Sequence, residues 1–189
     1  MAVESKMIEL GTPAPDFALP DPRTGQVVSL ADFADAPALV VAFLCNHCPY
    51  VQRVANGLAE LGADLAEHGV PLIGISSNDV ESYPQDGPDE MAEESVRHGW
   101  NFPYLYDESQ QVALAYSAVC TPDTFVFDGA RRLVYRGQLD DARPRNDRPV
   151  TATDVRAAVD AALAGTAVPS DQHPSMGCGI KWKQGNEPT

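Results

Sequence analysis

Two cysteines separated by two residues, Cys45-Asn46-His47-Cys48, are the part of this chain best suited to chemistry. They follow an unbroken apolar run, Ala38 to Leu44, and precede a segment in which Val54, Ala55, Leu58, Leu61 and Leu65 recur at helical spacing. A continuous apolar run of this length reads as a strand buried on both faces. The pair therefore sits at a strand-to-helix turn, where free backbone N–H groups and the helix dipole favour an anion. On this reading Cys45 is the nucleophile, ionising more readily than a free cysteine. Cys48, about one turn further on, is the resolving thiol. Cys45 attacks a disulfide or another electrophilic sulfur, and Cys48 displaces the adduct to close an internal disulfide. The competing use of the same side chains is a metal or metallochaperone site, with Cys45, Cys48, His47 and Cys120 as soft ligands. The chain carries no second Cys-x-x-Cys to complete such a site.

The elements that must position the pair are also legible. Val70 to Ser76 is a second buried strand, and β-α-β order implies a right-handed crossover and a parallel pair. His68 and Gly69 close the first helix. Pro88 to His98 reads as a helix with Pro at its start. Tyr104 to Tyr106 is a short strand and Glu108 to Ala115 a short helix. Thr124 to Phe127 and Arg132 to Arg136 form an antiparallel hairpin through Asp128-Gly129. Thr151 to Ala164 is a last helix, capped by Thr151 or Thr153 and ended by Gly165. Gln26 to Leu30 reads as an edge strand, and residues from Thr166 onward as a polar tail holding Cys178.

The chain has 189 residues with 13 basic and 27 acidic side chains, a net charge of −14. Such a balance argues against nucleic acid and against anionic membranes as partners. Arg131, Arg132, Arg136, Arg143, Arg145 and Arg148 alternate with acidic residues and read as a solvated loop. Four cysteines are too few for a disulfide framework. Met1 to Gly11 lacks the apolar run of a signal peptide, and no stretch approaches a membrane span. A cytoplasmic location is expected.

Three motifs together resemble the redoxin branch of the thioredoxin fold, the superfamily of alkyl hydroperoxide reductase and thiol-specific antioxidant. They are Gly11-x-x-Ala14-Pro15-Asp16-Phe17, then Phe43-x-Cys45-Asn46-His47-Cys48-Pro49-Tyr50 with Cys120-Thr121-Pro122-Asp123, and the tail Gly177-Cys178-Gly179-Ile180-Lys181-Trp182-Lys183. Within it they are similar to a peroxiredoxin-like subgroup. The resemblance implies an α/β, thioredoxin-like domain over residues 1–189. Its core spans about 11–165, as a central mixed β-sheet flanked by helices, with an N-terminal extension and a tail over 166–189. It also implies that Pro122 is cis and that the Thr121-Pro122 loop presents backbone groups beside Cys45 to an extended substrate.

Two departures narrow the expectation. Peroxiredoxins typically carry Pro-x-x-x-Thr-x-x-Cys, whose Thr hydroxyl positions peroxide. Here those places hold Ala38 and Ala42 before Cys45, or Val41 and Cys45 before Cys48. Thioredoxins typically carry Trp before the first Cys and a buried Asp in the preceding strand. Here Leu44 and apolar residues stand there, and the proton acceptor for the pair is unidentified. The expected function is dithiol–disulfide exchange without an organic cofactor. Its substrates are protein or small-molecule disulfides, with a thiol reductant such as thioredoxin. A thiol peroxidase acting on hydroperoxides is the alternative. Cys120 and Cys178 are candidate auxiliary thiols, and Asn46 and His47 the residues that tune the pair. An imidazolium beside the thiols stabilises the reduced form and raises the reduction potential. A glutathione redox titration is expected to give a potential above the thioredoxin value of about −270 mV. A value at or below that figure refutes the inference.

Overall fold

The computed structural model describes residues 2–188. Three short strands, β1 (Ala2–Glu4), β2 (Ala18–Pro20) and β3 (Val27–Ser29), lead into β4 (Ala38–Phe43). Helix α1 (Pro49–Glu67), β5 (Leu72–Ser76), α2 (Pro88–Arg97), β6 (Tyr104–Tyr106) and α3 (Gln111–Ala115) follow. The chain continues with β7 (Cys120–Thr121), β8 (Asp123–Asp128), β9 (Leu133–Gly137), α4 (Thr153–Ala164) and β10 (Met176–Gly179). The central sheet has the order β6-β5-β4-β8-β9, with β4, β5 and β6 parallel and β8 and β9 antiparallel. This is the α/β, thioredoxin-like arrangement expected from the sequence.

Strand β4 lies in the middle of the sheet, and all six of its residues are buried. Because side chains alternate across a strand, Ala38, Val40 and Ala42 join the core beneath α1 and α4. Leu39, Val41 and Phe43 join a second core on the opposite face, with Phe125, Phe127 and Tyr116. An apolar run without alternation is what burial on both faces requires. It fixes the last residue of the strand, and hence the cysteine turn, against the middle of the sheet. Helix α1 buries Val51, Val54, Ala55, Leu58, Leu61 and Leu65, and His68 with Gly69 at φ 67° closes it.

Several local expectations need correction. Helix α3 is shorter than Glu108 to Ala115, because Gln110 takes a left-handed conformation (φ 62°) just before it. Gln110 is held there by hydrogen bonds to the Ser77 and Lys181 carbonyls. Neither Thr151 nor Thr153 caps α4. Ala152 occupies the cap position, and the buried Asp140 carboxylate accepts the N–H groups of Thr151 and Ala152. The tail is not simply polar. Met176–Gly179 is a strand, Ile180 is buried, and Trp182 packs against the second core.

The arginine-rich stretch is not wholly a solvated loop either. Arg136 is fully buried and pairs with the fully buried Asp123 at 2.9 Å, its guanidinium 4.6 Å from the Phe125 ring centroid. It also donates to the Ser117 carbonyl. Burial pushes the Asp123 carboxyl up to about 6, against the opposing influence of Arg136. Asp123 directly follows Pro122, so this pair anchors the loop that reaches the cysteines. Removing one partner strands a buried charge, a loss of about 3–5 kcal/mol. Arg136→Met is expected to cost that much in urea unfolding at pH 8, and a cost below about 1 kcal/mol would sink the assignment.

Candidate active site

Cys45 follows the end of β4 by one buried residue, and Cys48 is the residue from which α1 starts. Both sulfurs are fully buried, and Thr121 lies between them. Its hydroxyl is 3.2 Å from the Cys45 sulfur and its carbonyl oxygen 3.2 Å from the Cys48 sulfur. The Thr121-Pro122 peptide bond is cis. The loop thus lies against the pair through both a side chain and a main-chain oxygen.

A carboxylate that the sequence reading missed organises the turn. Asp86, fully buried in a short 3₁₀ turn (Pro84–Asp86), accepts the backbone N–H groups of Asn46 at 2.8 Å and His47 at 3.2 Å with one oxygen. Its other oxygen meets His47 Nδ1 at 2.6 Å and accepts from Asn78 Nδ2 at 2.8 Å. His47 also stacks on Tyr83, with ring centroids 5.3 Å apart. Asn46 acts as an anchor for the turn: it donates to the Gln85 carbonyl and accepts from the Tyr104 hydroxyl. The only local signal for Asp86 is its place in the turn-like run Pro84-Gln85-Asp86-Gly87-Pro88. Nothing in that run indicates that it packs under residues some forty positions earlier.

The candidate auxiliary thiols separate. Cys120 is buried with its sulfur 3.9 Å from the Pro122 carbonyl, and burial pushes its thiol up. It behaves as a small apolar residue. Cys178 lies on β10, directly opposite Thr121 in an antiparallel pairing with β7. The edge of the Thr121-Pro122 loop expected to receive an extended substrate is therefore occupied by the chain's own tail. The metal set also needs revision. Among the described residues, Cys45, His47 and Asp86 form the group with ligand atoms within 4.8 Å of one another, and neither Cys48 nor Cys120 belongs to it. Asp86 already serves four N–H donors, so this donor set fits a hydrogen-bonded network better than an ion.

A family model described as the AhpC/TSA family matches residues 10–136. The chain belongs to the AhpC/TSA family. Peroxiredoxin Bcp of Escherichia coli (strain K12) is 31% identical over 105 residues, 56% of this chain and 62% of its own. The match thus spans less than two thirds of that relative's length. The thiol-disulfide oxidoreductase ResA of Geobacillus kaustophilus (strain HTA426) is 27% identical over 125 residues, 66% of this chain and 67% of its own. An uncharacterized conserved protein from Geobacillus kaustophilus, solved by crystallography, is 51% identical over 97% of both chains, with a TM-score of 0.95.

In this AhpC/TSA chain the two thiols sit differently at the start of the helix. Cys48, not Cys45, is the helix cap, with Pro49 in the first helical position. The Cys45 thiol first, then the surroundings at Cys178 and the Val51 N–H, pull the Cys48 thiol from the ordinary 9.0 to about 5, against the effect of burial. In the hydrogen-bond geometry the same sulfur donates to the Thr121 carbonyl. Cys45 is raised well above the ordinary range by donating to Cys48, by burial and by the negative charge of Asp86. The pair thus shares one proton between its two sulfurs. His47 was expected to act directly on Cys45. Its Nδ1 is engaged by Asp86, and a ring nitrogen lies within 4.8 Å of the Cys45 sulfur.

A thiol whose folded pKa lies below its unfolded value stabilises the fold above the unfolded pKa, and that contribution is lost as pH falls through the folded one. The stability advantage of the protein over Cys48→Ser should therefore grow as pH rises from about 5 towards 9. Thiolate absorbance at 240 nm should rise with a midpoint near pH 5 and lose that step in Cys48→Ser. A first midpoint near the ordinary 9.0 would contradict the assignment.

Proposed function

We propose that this chain is a thiol-disulfide oxidoreductase working through Cys48 and Cys45, in that order. What supports the reading is that Cys48 caps α1, where free N–H groups and the helix dipole favour an anion, beside a thiol that can both supply a proton and resolve. The Cys48 thiolate attacks a substrate disulfide, forming a mixed disulfide and expelling one substrate sulfur as thiolate. Cys45 gives that leaving group its proton. The Cys45 sulfur then attacks Cys48, closes the Cys45–Cys48 disulfide and releases the second substrate sulfur. Two electrons pass from the pair to the substrate, and no organic cofactor takes part. The substrates are protein or small-molecule disulfides, and a thiol reductant in a reducing compartment, the cytoplasm, restores the pair. Both buried sulfurs imply that access requires movement of the elements covering them.

The relatedness to peroxiredoxin Bcp favours a second reading, in which the Cys48 thiolate attacks a hydroperoxide and Cys45 condenses with the resulting sulfenic acid. The hydroxyl that positions peroxide in typical peroxiredoxins is missing from both cysteine frames.

The two readings part under oxidised glutathione and hydrogen peroxide. With Cys178 also replaced by Ser, Cys45→Ser should stall as a glutathione mixed disulfide on Cys48, visible by intact mass. Cys48→Ser should react at least about tenfold more slowly, since thiolate fraction governs attack. Faster trapping on Cys48→Ser would restore Cys45 as nucleophile. Absence of any adduct, with rapid oxidation by peroxide, would favour the peroxidase.

A further inference from the structure

Strand β10 is where the fold departs from a simple two-thiol device. It pairs antiparallel with β7 on one edge, Cys178 opposite Thr121 and Gly179 opposite Cys120. On its other edge it pairs with β1. The approach to the cysteine loop is unusually close: a Cβ on Gly177 would lie 1.9 Å from the Thr121 carbonyl oxygen. Only glycine permits that contact. Thr121 is also the residue that touches both Cys45 and Cys48. Cys178 packs against the core cluster that contains Cys45 and Cys48. Cys178 is partly exposed while Cys45 and Cys48 are not.

We propose that Cys178 is a third redox thiol, which takes the disulfide over from the buried pair and presents it to an external thiol reductant. The proposal rests on the cycling of Cys45 and Cys48 given above. In the transfer step the Cys178 sulfur attacks Cys48, the Cys48–Cys178 bond forms and the Cys45–Cys48 bond breaks. Cys45 leaves as thiolate and takes the proton released by Cys178, so no electrons are gained or lost. An external dithiol then attacks the accessible Cys178 sulfur and expels the Cys48 thiolate. Of the two sulfurs in that bond only Cys178 is partly exposed, which directs the attack to it. The second thiol of the reductant resolves its mixed disulfide with Cys178 and passes its proton to the Cys178 sulfur. Two electrons thus enter from the reductant. A tail serving only as an anchor requires no sulfur at this register.

The test uses oxidised glutathione followed by proteolysis and mass spectrometry without reduction. Oxidised Cys45→Ser is expected to contain a Cys48–Cys178 cross-link. Oxidised Cys178→Ser is expected to contain the Cys45–Cys48 disulfide, but to be reduced by dithiothreitol at least about tenfold more slowly than the unaltered chain. Recovery of only glutathione adducts from Cys45→Ser overturns the proposal, as does an unchanged reduction rate for Cys178→Ser. If Cys178→Ser fails to form the Cys45–Cys48 disulfide, the exchange reading itself falls, and the transfer step with it. That failure is distinguishable because it arises in a variant without Cys178.

Discussion

The arrangement of the site depends on one buried carboxylate. Asp86 has no access to solvent, and it gathers two backbone N–H groups of the cysteine turn, the His47 ring and the Asn78 amide. A buried carboxylate left without such donors would be costly, so the turn and the group beneath it require each other. Asn78 extends the network, since its other amide atom accepts the N–H of Lys181 in the C-terminal segment. One polar cluster thereby joins the turn that carries the thiols, the loop after β5 and the chain just beyond β10. Its negative charge adds to the contact with Cys48 and to burial in opposing ionisation of Cys45.

The second support comes from the opposite side. Asp123 and Arg136 form an ion pair in the protein interior, one residue beyond the cis peptide bond at Pro122. β8 and β9 hold this pair in register, with Thr124 opposite Gly137 and Phe125 opposite Arg136. The sheet therefore fixes Thr121 from below, while Asp86 fixes the cysteine turn from the side. The sulfurs meet between two separately anchored loops, and their hydrogen bonds follow from that convergence.

What the sequence revealed, and what it hid, follows the range of the interactions. β4 and α1 were readable because their apolar spacing is a local consequence of the faces they bury. The cysteine pair and the Thr121-Pro122 loop were readable as motifs between such elements. Asp86 was not, since its role comes from partners distant in sequence and its own surroundings read as a turn. Arg136 was hidden among exposed arginines. β10 was hidden for a different reason: Met176-Gly177-Cys178-Gly179 lacks β-branched residues, and its two glycines weaken strand character. Only its pairing with β7 and β1 makes it a strand. Which cysteine caps α1 was not readable, because spacing places a helix start only to within a few residues.

The placement of β1 beyond β10 bears on how the molecules behave when crowded. A two-residue strand beside a reactive loop, left bare, would offer unpaired N–H and C=O groups to any neighbouring chain. β10 covers that edge and β1 in turn covers β10, so the outermost border is a three-residue strand ending in Glu4. A short border with an acidic end, on a chain of net charge −14, is a poor template for another copy. The fold thus keeps its thiols next to a strand edge without leaving that edge open to self-association.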